Sequence, residues 1–578
     1  MLLLTVSALA QPVPVTVEQA EGGAQLYRGG VPLSLRGVGG EQDLALLAKI
    51  GGTAIRTWGT DGSTAALLDE AHQHGLTVSV GIWLGHTRHG FDYTDPEQVA
   101  AQKEQARQAV LAHRDHPAVL MWGVGNEMEG FEQGDDPAIW AAVCDIAEMI
   151  QALDPHHPVM TTTADIGGGR VASVSGCDAI DIHGVNSYGG GPSLPERYAA
   201  AGGQKPIVLT EYGHAGTWEV PYTDFGAPPE LTSTDKAAAY THIATEVVSQ
   251  PGVLGAFAFL WGWKTEATAT WFGMLLPDGT RLAPVDALAD AWGQPVANRV
   301  PVASALRVSP GDQLALGGEL SVGWDISDPE GDPLAVSWSV RPEVATYLSG
   351  GDPMALPPAL PGAVLHETTG EARIRMPSVP GVYRIYAVAR DGHGGGATAN
   401  IPVRVGEPAA AGAPLPVPWW LYQDAGVGGP WVPSGWMGAT ETIEVQQDWT
   451  DSCASPPSCV RFTVDDASWS GVAWQHPANN WGAEDGGLDL SQARWVRFKV
   501  RADTPNLSVT FGVGLNGADT AHPDSLKVEE TVALSAEWQT VKIRLRGDRS
   551  DIATGLWWVV PPRASSRATF YIDDVVFE

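Results

Sequence analysis

The chain is short of positive charge for its length. Its 578 residues include 34 Lys+Arg against 67 Asp+Glu, which gives a formal net charge of -33. A strongly negative surface repels the phosphates of nucleic acids and anionic lipid headgroups. Beyond the first ten residues, no apolar run approaches the ~18 residues that a transmembrane helix needs. We therefore expect neither nucleic acid nor a membrane span, while the composition leaves the oligomeric state open.

Cysteine is also scarce, with 4 in the whole chain. Cys453 and Cys459 bracket a short loop, and no further ligands lie at the spacing of a zinc finger. The sequence therefore predicts a local disulfide between these two residues and no metal site there. Cys144 and Cys177 are interpreted as small buried apolar residues rather than as a pair.

The first ten residues, 1–10, are apolar and end in a small-x-small pattern like that of a signal-peptide cleavage site. They lack the basic start of a complete signal peptide, so the interpretation is of a truncated one, with an edge strand or a disordered leader as the alternative. Together with the predicted disulfide, this segment favours a secreted or periplasmic protein.

Residues 25–297 alternate short apolar runs with longer helix-like segments, which is the pattern of successive βα units. A (β/α)8 barrel is the predicted fold of this region. An open doubly wound sheet is the alternative, but Gly37-Val38-Gly39-Gly40 does not continue as a phosphate-binding GxGxxG turn. The strand candidates are 33–38, 54–59, 76–84, 118–127, 158–163, 179–188, 206–213 and 255–263, and the clearest helices are 63–74, 96–113 and 137–153.

The remainder of the chain has short alternating segments with Gly, Pro and Asp turns, which predicts antiparallel β-structure. Residues 299–405 resemble an immunoglobulin-like or cadherin-like β-sandwich and are interpreted as a spacer. Residues 406–418 form a Pro/Ala/Gly linker, and residues 419–578 resemble a jelly-roll carbohydrate-binding module. A multidomain chain of barrel, sandwich and jelly-roll is therefore expected.

An acidic cluster in the sandwich could bind a structural calcium ion through its carboxylate oxygens, although a solvated turn is the commoner role of such residues. No other metal or cofactor is expected. The cluster consists of Asp325, Asp328, Glu330 and Asp332.

Two glutamates end the fourth and seventh predicted barrel strands. Glu127 follows the apolar run 118–125, and Glu211 follows 206–210. The carboxyl ends of all barrel strands meet at one rim, so the two carboxylates are expected to share a site. A pair in which one carboxyl stays protonated and the other ionised is what glycoside hydrolysis requires.

At these strands the chain resembles glycoside hydrolase family 2, of clan A. Residues 114–127 look like the acid/base strand of that family and 205–213 like its nucleophile strand, while 55–59 and 186–188 resemble its second and sixth strand ends. The resemblance implies that Glu127 is the general acid/base and Glu211 the nucleophile.

The same resemblance assigns supporting roles to other residues of the rim. Asn126 would contact the sugar 2-hydroxyl, Arg56 and Tyr188 would support the nucleophile, and Trp261 would form the floor of the site. Arg56 could instead serve as a structural ion-pair partner. Asn186 belongs to the sixth strand end.

Further candidates rest on residue type and position alone. Trp58 and Trp263 have aromatic faces that suit the apolar faces of sugar rings, although about half of the tryptophans are expected in the core. His86 and His183 lie near strand ends, where sugar contact and a purely structural role are equally expected. Glu129 is interpreted as a solvated loop charge.

The last module contains a mixture of aromatic and amide residues that could bind a sugar or pack on the barrel. This candidate face consists of Trp469, Trp474, Gln475, Asn480 and Trp481.

The sequence thus predicts a secreted, cofactor-independent, retaining β-glycosidase that hydrolyses a β-linked glucan or a related polysaccharide. Family 2 enzymes usually carry β-domains before the barrel, and these domains often help to close the pocket. Here the barrel is expected to begin near residue 25, so an exo-acting pocket is not assumed. The alternatives are a transglycosylase that uses the same carboxylates and a non-catalytic polysaccharide-binding protein.

Overall fold

The computed structural model describes residues 11–20, 23–130, 134–344, 347, 354, 356–377, 381–406, 414–423, 431–456, 458–465, 468–504, 507–518, 520–563 and 567–578. The leader expected at 1–10 and most of the expected linker, 407–413, lie outside these residues.

A small antiparallel sheet precedes the barrel and was not predicted. Its strands are β1 (Val15–Ala20), β2 (Gly23–Arg28) and β3 (Val31–Pro32). Val15 and Leu26 pack against inward-facing barrel residues such as Met121 and Met160, so the sheet closes one end of the barrel interior. The segment from residue 25 therefore begins in this sheet, and the first barrel strand begins at Leu35.

A closed barrel of eight parallel strands follows, which confirms the predicted fold. Its strand order is β10-β11-β4-β5-β6-β7-β8-β9. The strands are β4 (Leu35–Gly39), β5 (Ala54–Arg56), β6 (Thr77–Ile82), β7 (Val119–Asn126), β8 (Val159–Ala164), β9 (Ile182–Asn186), β10 (Ile207–Tyr212) and β11 (Val253–Ala258).

Helices surround the barrel, and local capping explains where the longest of them begin. Asp95 and Asp136 accept hydrogen bonds from the first backbone N–H groups of two helices, and a proline follows each cap. The helices are α1 (Leu44–Lys49), α2 (Thr64–Gln73), α3 (Pro96–His113), α4 (Pro137–Leu153), α5 (Arg170–Ser175), α6 (Leu194–Ala200), α7 (Ser233–His242) and α8 (Ala283–Ala291), with a π-helix at Ile243–Val247 and 3-10 turns at Thr87–His89, Gly191–Ser193 and Thr217–Glu219. None of the described helices is long and apolar enough to cross a membrane.

The next segment folds as the expected immunoglobulin-like sandwich. Its two four-stranded sheets have the orders β13-β15-β19-β18 and β14-β21-β20-β17, and β12 pairs with β16. The strands are β12 (Val302–Ala303), β13 (Arg307–Ser309), β14 (Gln313–Leu314), β15 (Glu319–Gly323), β16 (Ile326–Ser327), β17 (Ala335–Pro342), β18 (Val364–Glu367), β19 (Glu371–Arg375), β20 (Gly381–Arg390) and β21 (Gly396–Val405).

The last segment is a second sandwich, consistent with a jelly-roll. One sheet has the order β24-β25-β32-β27-β30 with β22 paired to β32, and the other has the order β23-β26-β31-β28-β29. The strands are β22 (Trp419–Tyr422), β23 (Val432–Gly438), β24 (Ile443–Trp449), β25 (Cys459–Asp465), β26 (Ser470–Gln475), β27 (Trp495–Ala502), β28 (Ser508–Val513), β29 (Val528–Ala533), β30 (Gln539–Arg544), β31 (Thr554–Val560) and β32 (Arg567–Phe577), with a 3-10 turn at Thr440–Thr442.

The immunoglobulin-like domain packs tightly on the barrel, so its interpretation as a spacer is wrong. A buried salt bridge lies at the contact, where Lys236 of α7 donates to Glu230 at 2.5 Å. The same Glu230 accepts hydrogen bonds from Thr268 and Thr270 of the loop after β11 and from Asn400 of β21. The contact therefore holds a loop that begins at the barrel rim.

We expect Lys236→Met to lower the free energy of unfolding by about 3–5 kcal/mol, because it leaves the buried Glu230 carboxylate without its main positive partner. Urea denaturation of the intact chain measures the effect. Lys103→Met is the matched control, since Lys103 pairs with Asp145 at 2.6 Å on the surface and such a pair contributes about 1 kcal/mol at most. Equal losses in the two variants would contradict a buried, energetically important contact.

Both cysteine pairs are disulfides, so the interpretation of Cys144 and Cys177 as unpaired residues is wrong. Cys144 lies in α4 and Cys177 follows α5, and folding brings these two adjacent helices into contact. The predicted Cys453–Cys459 disulfide is present in the jelly-roll.

Replacing both Cys144 and Cys177 by Ala is expected to lower the free energy of unfolding of the barrel by about 2–4 kcal/mol, because the disulfide closes a 33-residue separation in the unfolded chain. Urea denaturation with and without a reducing agent checks this value. The Cys453→Ala, Cys459→Ala double variant removes a disulfide that closes a separation of only 6 residues, so it should lose less free energy of unfolding. A barrel midpoint that is the same in the oxidised, reduced and substituted proteins would contradict the prediction.

Candidate active site

The predicted catalytic residues meet at the carboxyl-terminal rim of the barrel. Arg56, Asn126 and Asn186 are the last residues of β5, β7 and β9, and Glu211 is the penultimate residue of β10. Glu127 directly follows β7. Four strands that are separated along the chain therefore bring these side chains to one place.

Glu211 is a buried carboxylate that accepts hydrogen bonds from a cation and two neutral donors. Arg56 Nη1 and Trp58 Nε1 lie 2.9 and 2.8 Å from Glu211 Oε1. The hydroxyl of Tyr188 donates to Oε2 at 2.8 Å. Such donors stabilise the negative form of a carboxylate and fix its orientation. Burial and the charge of Glu211 also raise the pKa of the Tyr188 hydroxyl, which keeps it a donor.

Glu127 has the opposite electrostatic character. Burial and the neighbouring charge of Glu211 raise the pKa of Glu127 to about 8, although a hydrogen bond from Asn186 acts in the opposite direction. Asn186 Nδ2 donates to Glu127 Oε1 at 2.7 Å. The two glutamates therefore differ as a catalytic acid and a catalytic nucleophile must differ, with Glu127 protonated at neutral pH.

The chain turns sharply as it presents Glu127. Glu127 itself has a φ of 53°, and the preceding Gly125 has a φ of 72°. A Cβ at Gly125 would meet the side chain of Met128, and the positive φ itself favours glycine at this position. A non-glycine residue in the left-handed region is strained, and such residues are concentrated at functional sites.

A continuous hydrogen-bond network joins the two glutamates. Arg56 Nη2 donates to Asn126 Oδ1 at 2.6 Å, and Asn186 Nδ2 lies 3.2 Å from the same oxygen. Thr210, which directly precedes Glu211, donates to Asn186 Oδ1 at 2.8 Å. This bond fixes the amide of Asn186 so that its nitrogen faces Glu127. The sequence analysis did not predict Thr210 as a site residue, although it lies within residues 205–213 and directly precedes Glu211.

An aromatic cluster surrounds Tyr188. Phe259 and Phe272 lie 6.0 and 5.0 Å from the Tyr188 ring, and Trp58 packs on Phe259 at 5.8 Å. Tyr347 of the immunoglobulin-like domain packs against the same cluster. Phe259, Phe272 and Tyr347 were not predicted, because their contacts arise from loops distant in sequence.

A cavity of about 500 Å³ adjoins the Glu211 side of the site. It is lined by residues 40–42, 56–61 and 260–263, among others. Trp261 is buried and its indole N–H donates to the carbonyl oxygen of Gln42, whereas Trp263 is 38% exposed. Neither glutamate lines this cavity, but Arg56 and Trp58 contact both the cavity and Glu211.

His183 lies away from the site, so its prediction as a sugar-binding residue is wrong. Its ring packs on Tyr198 of α6 and forms a 2.9 Å hydrogen bond with Thr163. Burial lowers the pKa of His183 to about 3, with a smaller contribution from Lys205, so the ring is neutral. His86 lies after β6 and is buried, with its ring stacked on Trp83 at 5.0 Å. Its sugar contact stays a prediction.

Glu129 is a buried structural residue rather than the solvated charge that was expected. It accepts hydrogen bonds from Arg170 Nε at 2.9 Å and from the backbone N–H of Ala164 at 2.7 Å. These bonds connect the loop after β7 to the end of β8 and to the start of α5, beside the turn that presents Glu127.

The candidate sugar face of the jelly-roll is only partly exposed. Trp474 packs in the sandwich core against Phe462, Gln475 is fully buried, and Asn480 bonds to the backbone of its own loop. These three residues therefore do not form an exposed sugar face. Trp469 and Trp481 are 46% and 37% exposed, so sugar binding by this pair stays a prediction.

The acidic cluster of the sandwich is smaller than expected. Ligand oxygens of Asp328, Glu330 and Asp332 lie within 4.8 Å of one another. Asp325 pairs instead with Arg307 at 2.7 Å. Exposed carboxylates on a turn commonly occur without an ion, and calcium binding here stays a prediction.

A known family matches part of the barrel. Residues 60–220, which include both glutamates, match the family described as "Glycosyl hydrolases family 2, TIM barrel domain". The matched range includes the strands β7 and β10, which carry these two residues to the barrel rim.

Several solved structures are similar to the chain at low identity. A Bacteroides uniformis beta-glucuronidase 2 is 14% identical, over 97% of this chain and 67% of that one, with a TM-score of 0.39. A putative beta-galactosidase from Bacteroides fragilis is 16% identical, over 68% and 57%, with a TM-score of 0.38. An endo-beta-1,4-mannanase from Thermotoga petrophila is 12% identical, over 64% and 97%, with a TM-score of 0.32. Residues 60–220 are therefore similar to the TIM barrel domain of glycosyl hydrolases family 2, and this similarity supports a glycoside hydrolase.

Proposed function

We propose that the protein is a retaining β-glycosidase in which Glu127 is the general acid/base and Glu211 is the nucleophile. The observation that supports this assignment is the contrast between the two carboxyl groups within one hydrogen-bond network. Glu211 accepts from Arg56, Trp58 and Tyr188, whereas Glu127 has a raised pKa and a single amide donor. Retaining glycosidases require this pairing of an ionised carboxylate with a protonated one.

In the first half of the proposed reaction, the Glu127 carboxyl gives its proton to the glycosidic oxygen while a carboxylate oxygen of Glu211 attacks the anomeric carbon. The bond to the leaving group breaks, and a glycosyl ester forms on Glu211. Arg56, Trp58 and Tyr188 hold the attacking carboxylate in one orientation, which lowers the entropic cost of the attack.

In the second half, the Glu127 carboxylate accepts a proton from water, whose oxygen attacks the anomeric carbon and releases Glu211. After the ester forms, Glu211 no longer carries the charge that raised the pKa of Glu127. The pKa of Glu127 is therefore expected to fall between the two steps, and the residue changes from an acid into a base.

A β-linked glucan or a related polysaccharide is the proposed substrate class, because Trp58, which bonds to Glu211, and the partly exposed Trp263 line the cavity beside the nucleophile. The protein is proposed to work outside the cytoplasm. Two disulfides, one in the barrel and one in the jelly-roll, support an oxidising compartment.

Proton NMR of the first-formed product tests the proposed stereochemistry. The enzyme is mixed with a β-linked oligosaccharide that it cleaves, and the anomeric signals are followed before mutarotation is complete. We expect the β-anomer to appear first, since two displacements at one carbon retain its configuration. An initial α-anomer would contradict the role of Glu211 as a nucleophile.

A further inference from the structure

The cavity of about 500 Å³ beside the site has a defined position around the barrel. Its lining residues follow β4, β5 and β11, which are consecutive strands in the closed sheet. We call it the β4 cavity after the middle strand. Its volume lies within the range of about 300–1,000 Å³ that is typical of small-ligand sites.

The order of the strands sets which part of a substrate can reach the β4 cavity. Glu127 follows β7, three strands from β4 along β5 and β6, whereas Glu211 on β10 is two strands away along β11. Arg56 and Trp58 line the cavity and also donate to Glu211. The cavity therefore adjoins the nucleophile and lies away from the acid.

The acid protonates the leaving group, so the leaving group must lie on the side of Glu127. The sugar that is attacked lies between Glu127 and Glu211. A unit attached to its non-reducing side would then extend past Glu211 and into the β4 cavity.

The lining of the β4 cavity suits a neutral sugar ring. Trp263 is 38% exposed and Trp58 is half-buried, so both offer aromatic surface to the apolar face of a pyranose. Glu41, Gln42 and Asp61 supply acceptor oxygens for sugar hydroxyls.

The charges of the lining disfavour a uronic acid. Arg56 is the one cation among the described residues that line the cavity, and it bonds to Glu211 and Asn126. Lys264, next to the lining residue Trp263, forms a salt bridge with Glu266 at 3.1 Å. A sugar carboxylate in the cavity would be repelled by Glu41 and Asp61, and Arg56 already bonds to two other side chains.

We propose that the β4 cavity is a second sugar subsite, which binds a neutral pyranosyl unit linked to the non-reducing side of the sugar whose bond is cleaved. This proposal rests on the proposed function, because Glu127 as the acid defines the side of the leaving group. It makes the enzyme one that acts at least two sugars from the end of a chain.

Aryl monosaccharides and aryl disaccharides that carry the same leaving group test the subsite. A panel of neutral β-configured aryl monosaccharides is compared with the corresponding aryl β-disaccharides. We expect kcat/KM to be at least about tenfold higher for the disaccharide of the accepted configuration, which corresponds to about 1.4 kcal/mol of added binding in the transition state. Equal values for the two substrates in the intact enzyme would overturn the proposal.

Trp263→Ala should remove most of this preference, with a much smaller loss on the monosaccharide, because Trp263 lines the cavity and has no hydrogen bond to either glutamate among the described residues. Trp436→Ala is the matched control, since Trp436 is 37% exposed on β23 of the jelly-roll and lies outside the barrel. A Trp263→Ala enzyme that loses activity equally on both substrates would contradict the subsite, and so would one that keeps its preference.

A third comparison tests whether the β4 cavity disfavours a charged sugar. It also distinguishes failure of the subsite from failure of the proposed function. Replacing the outer sugar by a uronic acid should lower kcat/KM at least about tenfold, and the loss should shrink with added salt. A preference for the uronic acid would overturn the choice of a neutral sugar. Failure of the proposed function would look different, since Glu211→Ala would then cleave every substrate as fast as the intact enzyme.

Discussion

Glu211→Ala should reduce the turnover of every active β-glycoside at least about a thousandfold, because it removes the group that is proposed to attack the anomeric carbon. The substitution also leaves the donors of Arg56, Trp58 and Tyr188 directed at an empty volume. A small anion such as azide or formate could bind there and attack from the same face. Steady-state hydrolysis of an aryl glycoside, with and without azide, measures both effects.

The azide experiment also separates lost chemistry from lost folding. A single displacement by azide inverts the anomeric carbon, so the rescued product should be an α-glycosyl azide. Tyr188→Phe provides a graded control, since it removes one of the donors to Glu211 and leaves Arg56 and Trp58 in place. We expect its loss to be far smaller than that of Glu211→Ala. Full activity of Glu211→Ala without azide would refute the assignment of the nucleophile.

The barrel could be predicted from the sequence because several of its strands, such as β7 and β11, are buried apolar runs between turn signals. Helices α3 and α4 begin where an aspartate cap precedes a proline, and their predicted bounds agree with the structure. The bounds of β9 were predicted less well. Ala179 and Ile180 are apolar but lie before the first residue that pairs with β8, which is Ile182, so the tertiary pairing sets where the strand begins.

The errors at the site come from side-chain direction rather than from position along the chain. His183 and Asn186 lie three residues apart on one strand, so they face opposite sides of the sheet. Asn186 faces the catalytic rim, and His183 faces α6. The same two-residue alternation directs Trp474 into the core of the jelly-roll, with Val472. The sequence pattern alone could have suggested both corrections.

Other features depend on contacts between distant segments and carry no local signal. The Cys144–Cys177 disulfide joins positions that are 33 residues apart. Glu230 is an ordinary loop glutamate in the sequence, yet it bonds to Lys236, Thr268, Thr270 and Asn400 in the fold. The immunoglobulin-like domain thereby supports the loop after β11, and this support could not be predicted before both domains were placed together.

Glu127 should determine the alkaline limit of activity. Burial and the charge of Glu211 raise the pKa of Glu127 to about 8. The proposed acid acts in its protonated form, which is present below this pKa and is lost as the pH rises through it. We therefore expect kcat/KM for a poor leaving group, such as an alkyl glycoside, to fall as the pH rises through about 8. Initial rates across the pH range in the intact enzyme measure this limit.

Glu127→Gln decides whether this limit belongs to Glu127. The variant should lose at least about a hundredfold on alkyl glycosides, which need a proton on the leaving oxygen. It should lose much less in the first step on dinitrophenyl glycosides, whose leaving group departs without one. Its pH profile should lack the alkaline decline, because the amide has no proton to lose. A variant that keeps the decline, or that loses equally on both leaving groups, would assign the acid to another residue. It would also remove the reason for placing the leaving group on the side of Glu127.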